Sequence, residues 1–182
     1  MIYIILGIIA LIVIYGIATY NKLVSMRTSA EEGFSTMDVY LKKRYDLIPN
    51  LVETVKGYAK HEKETLENVI AARNAAVSAN NPTEQLQAEG QLGQVLGRLF
   101  ALSENYPDLK ANTNFTDLQR QLQNIETEIA QSRKYYNGVV REYNIKCETF
   151  PSVIVANMFS FKKKPLYEIE NVSERENVKV QF

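Results

Sequence analysis

Apolar residues fill the start of the chain, MIYIILGIIALIVIYGIATY, and no charged side chain appears before Lys22. A run of this length is what a helix needs to cross a hydrocarbon core about 30 Å thick. Backbone in lipid must satisfy its own hydrogen bonds, so the run predicts a helix despite its many β-branched residues. From Leu23 the pattern becomes one-sided. Leu23, Met26, Ala30, Phe34, Met37, Leu41, Tyr45, Ile48, Val52 and Val55 recur every three or four residues, a helical stripe. It continues through Leu66, Val69 and Ala76 as far as Asn80-Asn81-Pro82. The expectation is one nearly unbroken helix from the membrane to the residues before Asn80, kinked near Tyr45 because Pro49 lacks an N–H.

Asn81-Pro82-Thr83-Glu84 has the chemistry of a helix start, with Asn81 as cap and Pro82 in the first turn. Leu86, Leu92, Val95, Leu96, Leu99 and Leu102 line the helix that follows. Gly90, Gly93 and Gly97 lie on it too, and either admit a close neighbour or weaken the helix locally. After a connection over 106–114, the stripe Phe115, Leu118, Leu122, Ile125, Ile129, Ser132, Tyr136, Val139, Tyr143 has near-heptad spacing. The expected fold is all-α: an N-terminal transmembrane helix, then an elongated antiparallel bundle of three long helices, a short fourth helix and a C-terminal tail. The corresponding segments are an anchor over 1–21, the bundle over 22–150, and an apolar-basic helix with tail over 151–182. Val178, Val180 and Phe182 alternate with polar residues, but a free tail is the preferred reading there.

Charge changes the picture only by its placement. The 21 acidic and 21 basic residues cancel, so no basic surplus argues for nucleic acid as a partner. The leader lacks a basic n-region and a small-x-small cleavage site, which favours an uncleaved anchor over a signal peptide. Lys22 and Arg27 follow the span, so the positive-inside rule places the N-terminus outside and the helical body in the cytoplasm. The single Cys147 excludes an intrachain disulfide.

Further residues carry a resemblance. Tyr20-Asn21-Lys22-Leu23-Val24, Lys43-Arg44-Tyr45-Asp46-Leu47-Ile48-Pro49-Asn50-Leu51-Val52, Glu104-Asn105-Tyr106-Pro107-Asp108-Leu109 and Arg133-Lys134-Tyr135-Tyr136-Asn137 resemble the LemA family. The resemblance implies a bacterial cell-membrane protein built from long antiparallel helices, and implies no reaction. This chain departs from the common pattern at Asn157-Met158, where a glycine is usual.

The polar signature residues Arg44, Asp46, Asn50, Arg73, Glu104, Tyr106, Arg133, Asn137 and Asn144 are expected to form a structural network. Asn137 and Asn144 stand one heptad apart beside stripe tyrosines, where a buried amide fixes helix register. Arg44 or Arg73 would pair with Glu104 across helices. The competing reading is a small-ligand sensor in that cluster. One histidine and one cysteine supply neither a metal set nor a nucleophile pair, and no phosphate-binding glycine loop is present. The expectation is therefore no catalysis, no metal and no cofactor.

Phe150, Ile154, Met158, Phe159 and Phe161 precede Lys162, Lys163 and Lys164. These are candidates for contact with membrane lipid or with a neighbouring subunit; a helix capping the bundle is the plainer alternative. With three long passes of unequal length, Pro151 would end about 100 Å from its own anchor. The lysines would then face another subunit or a second bilayer. Taken together, the chain is expected to be a single-pass membrane scaffold or interaction protein that self-assembles as a homo-oligomer, or a membrane-organising protein using its C-terminal segment.

Overall fold

The computed structural model describes residues 1–79 and 81–167. They form α1 (Ile2–Tyr58), α2 (Lys63–Val77), α3 (Pro82–Ser103), α4 (Pro107–Lys110), α5 (Thr113–Glu148) and α6 (Ser152–Met158). The protein is all-α, an anchor-length apolar helix leading into a helical bundle, as the periodicity predicts. The alternating residues Val178, Val180 and Phe182 lie outside the described residues.

The described residues divide into two compact units, residues 1–44 with 121–166, and residues 45–120 with Tyr167. In the first unit α1 and α5 run antiparallel. Arg44 pairs with Glu126, Phe34 stacks edge-on against Tyr136, and Leu23 packs with Cys147. Every stripe residue named from Leu23 to Val55 is buried or half-buried. Here also lies a close approach that a glycine serves. A Cβ on Gly33 would meet the Tyr135 ring at 3.1 Å and the Tyr136 backbone at 3.5 Å. Gly90 and Gly97, by contrast, face open space, so the close-neighbour reading of those two glycines does not hold.

In the second unit, the helix expected to continue past Tyr58 stops there. Ala59–Glu62 forms a turn closed by the Glu62 N–H on the Ala59 carbonyl, 3.1 Å, and α2 folds back along α1. The stripe did not expose this break because Leu66 and Val69 remain buried on the far side of the turn. The turn changes the parity of the fold. It adds a chain reversal that the periodicity did not reveal, and within the first unit the end of α5 packs beside the start of the α1 stripe, Tyr143 and Cys147 against Leu23. The expectation that Pro151 ends far from its own anchor is overturned: α6 packs beside α1, with Tyr20 against Phe159 at 4.7 Å and Phe161 at 5.7 Å between ring centroids.

Helix ends follow local chemistry. Asn81 accepts from the Glu84 N–H at 2.9 Å with Pro82 in the first turn, as expected. Asn112 caps α5 through the Phe115 N–H, 3.0 Å, and donates to the Tyr58 hydroxyl at 2.8 Å. Ser160 ends α6 with φ 57°, a left-handed position usually taken by glycine. The Phe161 N–H reaches back to Ala156 at 2.9 Å and the Ser160 N–H to Asn157 at 3.2 Å.

Candidate functional site

Two features of the first unit stand out chemically: an apolar groove along the anchor, and a set of polar ties that place its upper rim. The groove, about 860 Å³, is walled on one side by Ile8, Ile12 and Tyr20 of α1 and on the other by Phe150, Ile154 and Phe159. Ile154 and Met158, four residues apart along one face of α6, are 54% and 69% exposed, and Phe150, in the turn that leads into the helix, is 80% exposed. The opposite face of α6, Val155 and Ala156, is buried against Leu23, Tyr143 and Cys147. A short helix that hides one apolar face in protein and presents another beside a membrane span is suited to lipid or to a second apolar surface, since water would oppose it.

The ties come from α5. The Tyr143 hydroxyl donates to the Lys162 carbonyl at 3.0 Å, and the Tyr136 hydroxyl to the Pro165 carbonyl at 2.9 Å. Between them, the Asn144 amide holds both backbone groups of Lys164, donating to its carbonyl at 2.8 Å and accepting from its N–H at 2.9 Å. One side chain thus imitates a strand partner for the residue it holds. Lys163 pairs with Glu148 at 2.8 Å and Lys164 with Glu31 at 3.1 Å. Arg27 sits over the Phe161 ring, 5.4 Å from its centroid. Lys162, Lys163 and Lys164 therefore lie at the same end of the unit as Arg27, just beyond the apolar run.

The other signature residues are distributed, not gathered. Arg44 is buried and pairs with the half-exposed Glu126 at 2.7 Å. Glu104, expected to take Arg44 or Arg73, instead pairs with Lys110, and both are exposed. Asp46 and Asn50 lie on the exposed side of α1, where the Asn50 carbonyl accepts from Thr54 at 2.8 Å. Arg133 and Asn137 are half-buried on α5. Tyr106 donates to Glu62 at 3.0 Å beside the turn that ends α1.

Arg73 has a more particular task. Pro49 cannot donate to the carbonyl four residues earlier, which belongs to Tyr45. The Arg73 Nε donates to that carbonyl at 3.0 Å, so α2 supplies the bond that the proline withholds and α1 continues through it. The neighbouring Tyr45 hydroxyl donates to the buried Glu89 carboxylate on α3. Burial, reinforced by that carboxylate, holds the Tyr45 phenol far above its usual range. Glu89 was missed by the sequence reading, yet it sits three residues from both Leu86 and Leu92. A carboxylate in phase with an apolar stripe was the available signal.

Cys147 is buried in the α1–α5–α6 core, and burial pushes its thiol above the usual range. No group of three His, Cys, Asp or Glu side chains suited to a metal gathers among the described residues.

An apolar helix long enough to cross a bilayer, joined to an all-helical body, defines a membrane-associated helical-bundle protein. Within that class the chain belongs to the LemA family, whose model matches residues 33–182. It is 25% identical over 175 residues to Magnetosome protein MamQ 2 of Paramagnetospirillum magneticum, covering 82% of this chain and 64% of that protein. It is 25% identical over 170 residues to Magnetosome protein MamQ of Magnetospirillum gryphiswaldense, covering 79% and 62%. Protein LemA of Metamycoplasma hominis is 24% identical over 153 residues, covering 84% and 70%. The chain thus spans less than two thirds of the MamQ proteins it matches. None of these names states a reaction.

Proposed function

We propose that this protein is a non-catalytic membrane scaffold whose helical body is fastened twice to its own bilayer, by the apolar part of α1 and by α6. The observation that carries this reading is the exposed row Phe150, Ile154 and Met158 lying beside the anchor. Such a row in water would be a liability, whereas at bilayer depth it gains burial. The second fastening restricts how the bundle tilts and turns on its anchor, which suits a body that presents a fixed face to other molecules. Copies self-associate laterally in the membrane through these bodies. The side on which Lys22, Arg27 and Lys162–Lys164 cluster is cytoplasmic, because five basic residues now weigh in one direction.

Cysteine accessibility tests the seating. In a Cys147→Ser background, Tyr135→Cys and Ile154→Cys introduce thiols at positions of nearly equal exposure, 55% and 54%. In intact inside-out vesicles an impermeant maleimide should label Tyr135→Cys and spare Ile154→Cys until detergent is added. Equal labelling of both would overturn the seating of α6, and labelling of Tyr135→Cys only in right-side-out vesicles would overturn the orientation. Self-association predicts crosslinked dimers and larger species of the full chain in nanodiscs or native membranes. A single monomeric species at every protein-to-lipid ratio would end that part of the proposal.

A further inference from the structure

The groove between α1 and α6 is more than a place where bulk lipid can lie. We propose that it is a binding site for an anionic phospholipid of the protein's own bilayer, with an acyl chain in the groove and the headgroup at the basic rim. The inference rests on the seating of α6 proposed above and adds a headgroup preference to it.

Three observations converge on this occupant. The groove has walls and not merely a surface: Ile8, Ile12 and Ile17 of the anchor face Ile154 and Met158, enclosing about 860 Å³. That volume lies within the range of small-ligand sites, about 300–1,000 Å³, and its walls offer almost nothing for a polar group to bond. Residues 8–17 belong to the charge-free run, so hydrocarbon is the solvent that reaches them.

The polar end of the groove is built to a different rule. Tyr20 and Phe159, which close it, are in ring contact at 4.7 Å. Tyr20 also meets Phe161 at 5.7 Å, and Phe161 carries the Arg27 guanidinium over its face at 5.4 Å. A cation is therefore stationed on the aromatic cluster that ends the apolar channel, about where a lipid changes from chain to phosphate. Lys162 follows Phe161 directly in the chain, with its backbone carbonyl pinned by Tyr143 at 3.0 Å. Lys163 and Lys164 are engaged by Glu148 and Glu31, so the headgroup contact is assigned to Arg27 and Lys162. Guanidinium and ammonium groups at this height favour a phosphate whose headgroup adds no compensating positive charge.

The chain contains no tryptophan, which makes a direct test clean. Phe150→Trp, at a groove-lining and 80% exposed position, gives the full-length protein one indole at the groove. It is reconstituted in phosphatidylcholine vesicles containing a minor fraction of acyl-brominated lipid, either phosphatidylglycerol or phosphatidylcholine. The expected result is stronger quenching by brominated phosphatidylglycerol, with an apparent preference of about fivefold, the size of one basic side chain at an anionic surface. Arg27→Gln with Lys162→Gln should bring the two lipids to parity while quenching persists. Equal quenching in the unsubstituted background leaves α6 in the membrane and overturns the headgroup site. Absence of quenching by either lipid, as when a second copy covers the groove, overturns the site and the seating together. A preference that survives the double substitution overturns the assignment to Arg27 and Lys162.

Discussion

The two stretches of α1 share one unbroken helix and almost nothing else. Over residues 2–20 only Thr19 is buried, and large apolar side chains are exposed on every side. Over residues 23–55 the apolar residues collapse to one stripe, and Leu23, Met37, Leu41 and Ile48 are at most 1% exposed. Among the described residues the first stretch is little covered; its backbone is self-sufficient, and its side chains have the composition of a helix long and apolar enough to cross a bilayer. The second stretch is stable because α5, α2 and α3 cover parts of its stripe, each within its own unit. A helix can thus change solvent without changing conformation. Only the distribution of apolar residues around the axis records where the change occurs.

The largest effect should separate these two regimes. Leu41→Ala, in the packed stretch, should lower the stability of the bundle by about 2–5 kcal/mol. Ile9→Ala, on the lipid-facing stretch, should leave it within about 0.5 kcal/mol. Thermal unfolding of the full chain in nanodiscs, followed by circular dichroism, makes the comparison, and equal losses would erase the distinction.

Next comes the repair of the proline. Arg73→Met should cost about 1.5–3 kcal/mol, the range for a hydrogen bond involving a charged group. Pro49→Ala restores an N–H for the Tyr45 carbonyl, so in that background the same arginine substitution should cost markedly less. A double-mutant cycle with no coupling would show that Arg73 does not stand in for the missing donor.

Asn144→Ala should cost about 1–2 kcal/mol by freeing both backbone groups of Lys164. Its more telling readout is faster tryptic cleavage after Lys162 and Lys163, with cleavage elsewhere unchanged. Ser160→Gly should work in the opposite direction, adding about 0.5–1 kcal/mol because the residue at φ 57° no longer carries a Cβ.

The smallest effect is visible only in alkali. Burial pushes the Tyr143 phenol up to about 12, above the ordinary tyrosine value of about 10. Because the folded value is the higher one, its contribution to stability is complete below pH 10. That contribution is lost as the pH rises from about 10 through about 12. Absorbance titration of the full chain against Tyr143→Phe should show one phenol missing from the late-titrating group. Loss of an early-titrating phenol would contradict the burial of Tyr143.

Much of this architecture was legible in the residues. The charge-free run, the Leu23–Val55 stripe, the Asn81 cap and the stripe of α5 all reappear where periodicity placed them. The turn at Ala59–Glu62 was not legible by the same means. It contains neither glycine nor proline, and the apolar phase resumes at Leu66 as though no break had occurred. The signals present were Gly57 and the polar run Lys60-His61-Glu62-Lys63-Glu64, six positions with no apolar residue to pack between Ala59 and Leu66 if Thr65 is included. That omission had a large consequence, since one uncounted reversal sends α6 to the wrong end. Partners of polar residues were harder still. Arg73 meets a carbonyl exposed by a proline in another helix, and no one-dimensional spacing encodes such a meeting.

Most of the grip of α5 on the segment after α6 is made through main-chain atoms of Lys162, Lys164 and Pro165, with the Lys163 ammonium on Glu148 as a side-chain tie. Place and identity are therefore separable: α5 determines where these positions sit relative to the apolar helix, largely whatever side chains they carry. Exchanging Lys162 for a neutral or acidic residue would change the charge at that rim while leaving the main-chain latch of Tyr136, Tyr143 and Asn144 untouched.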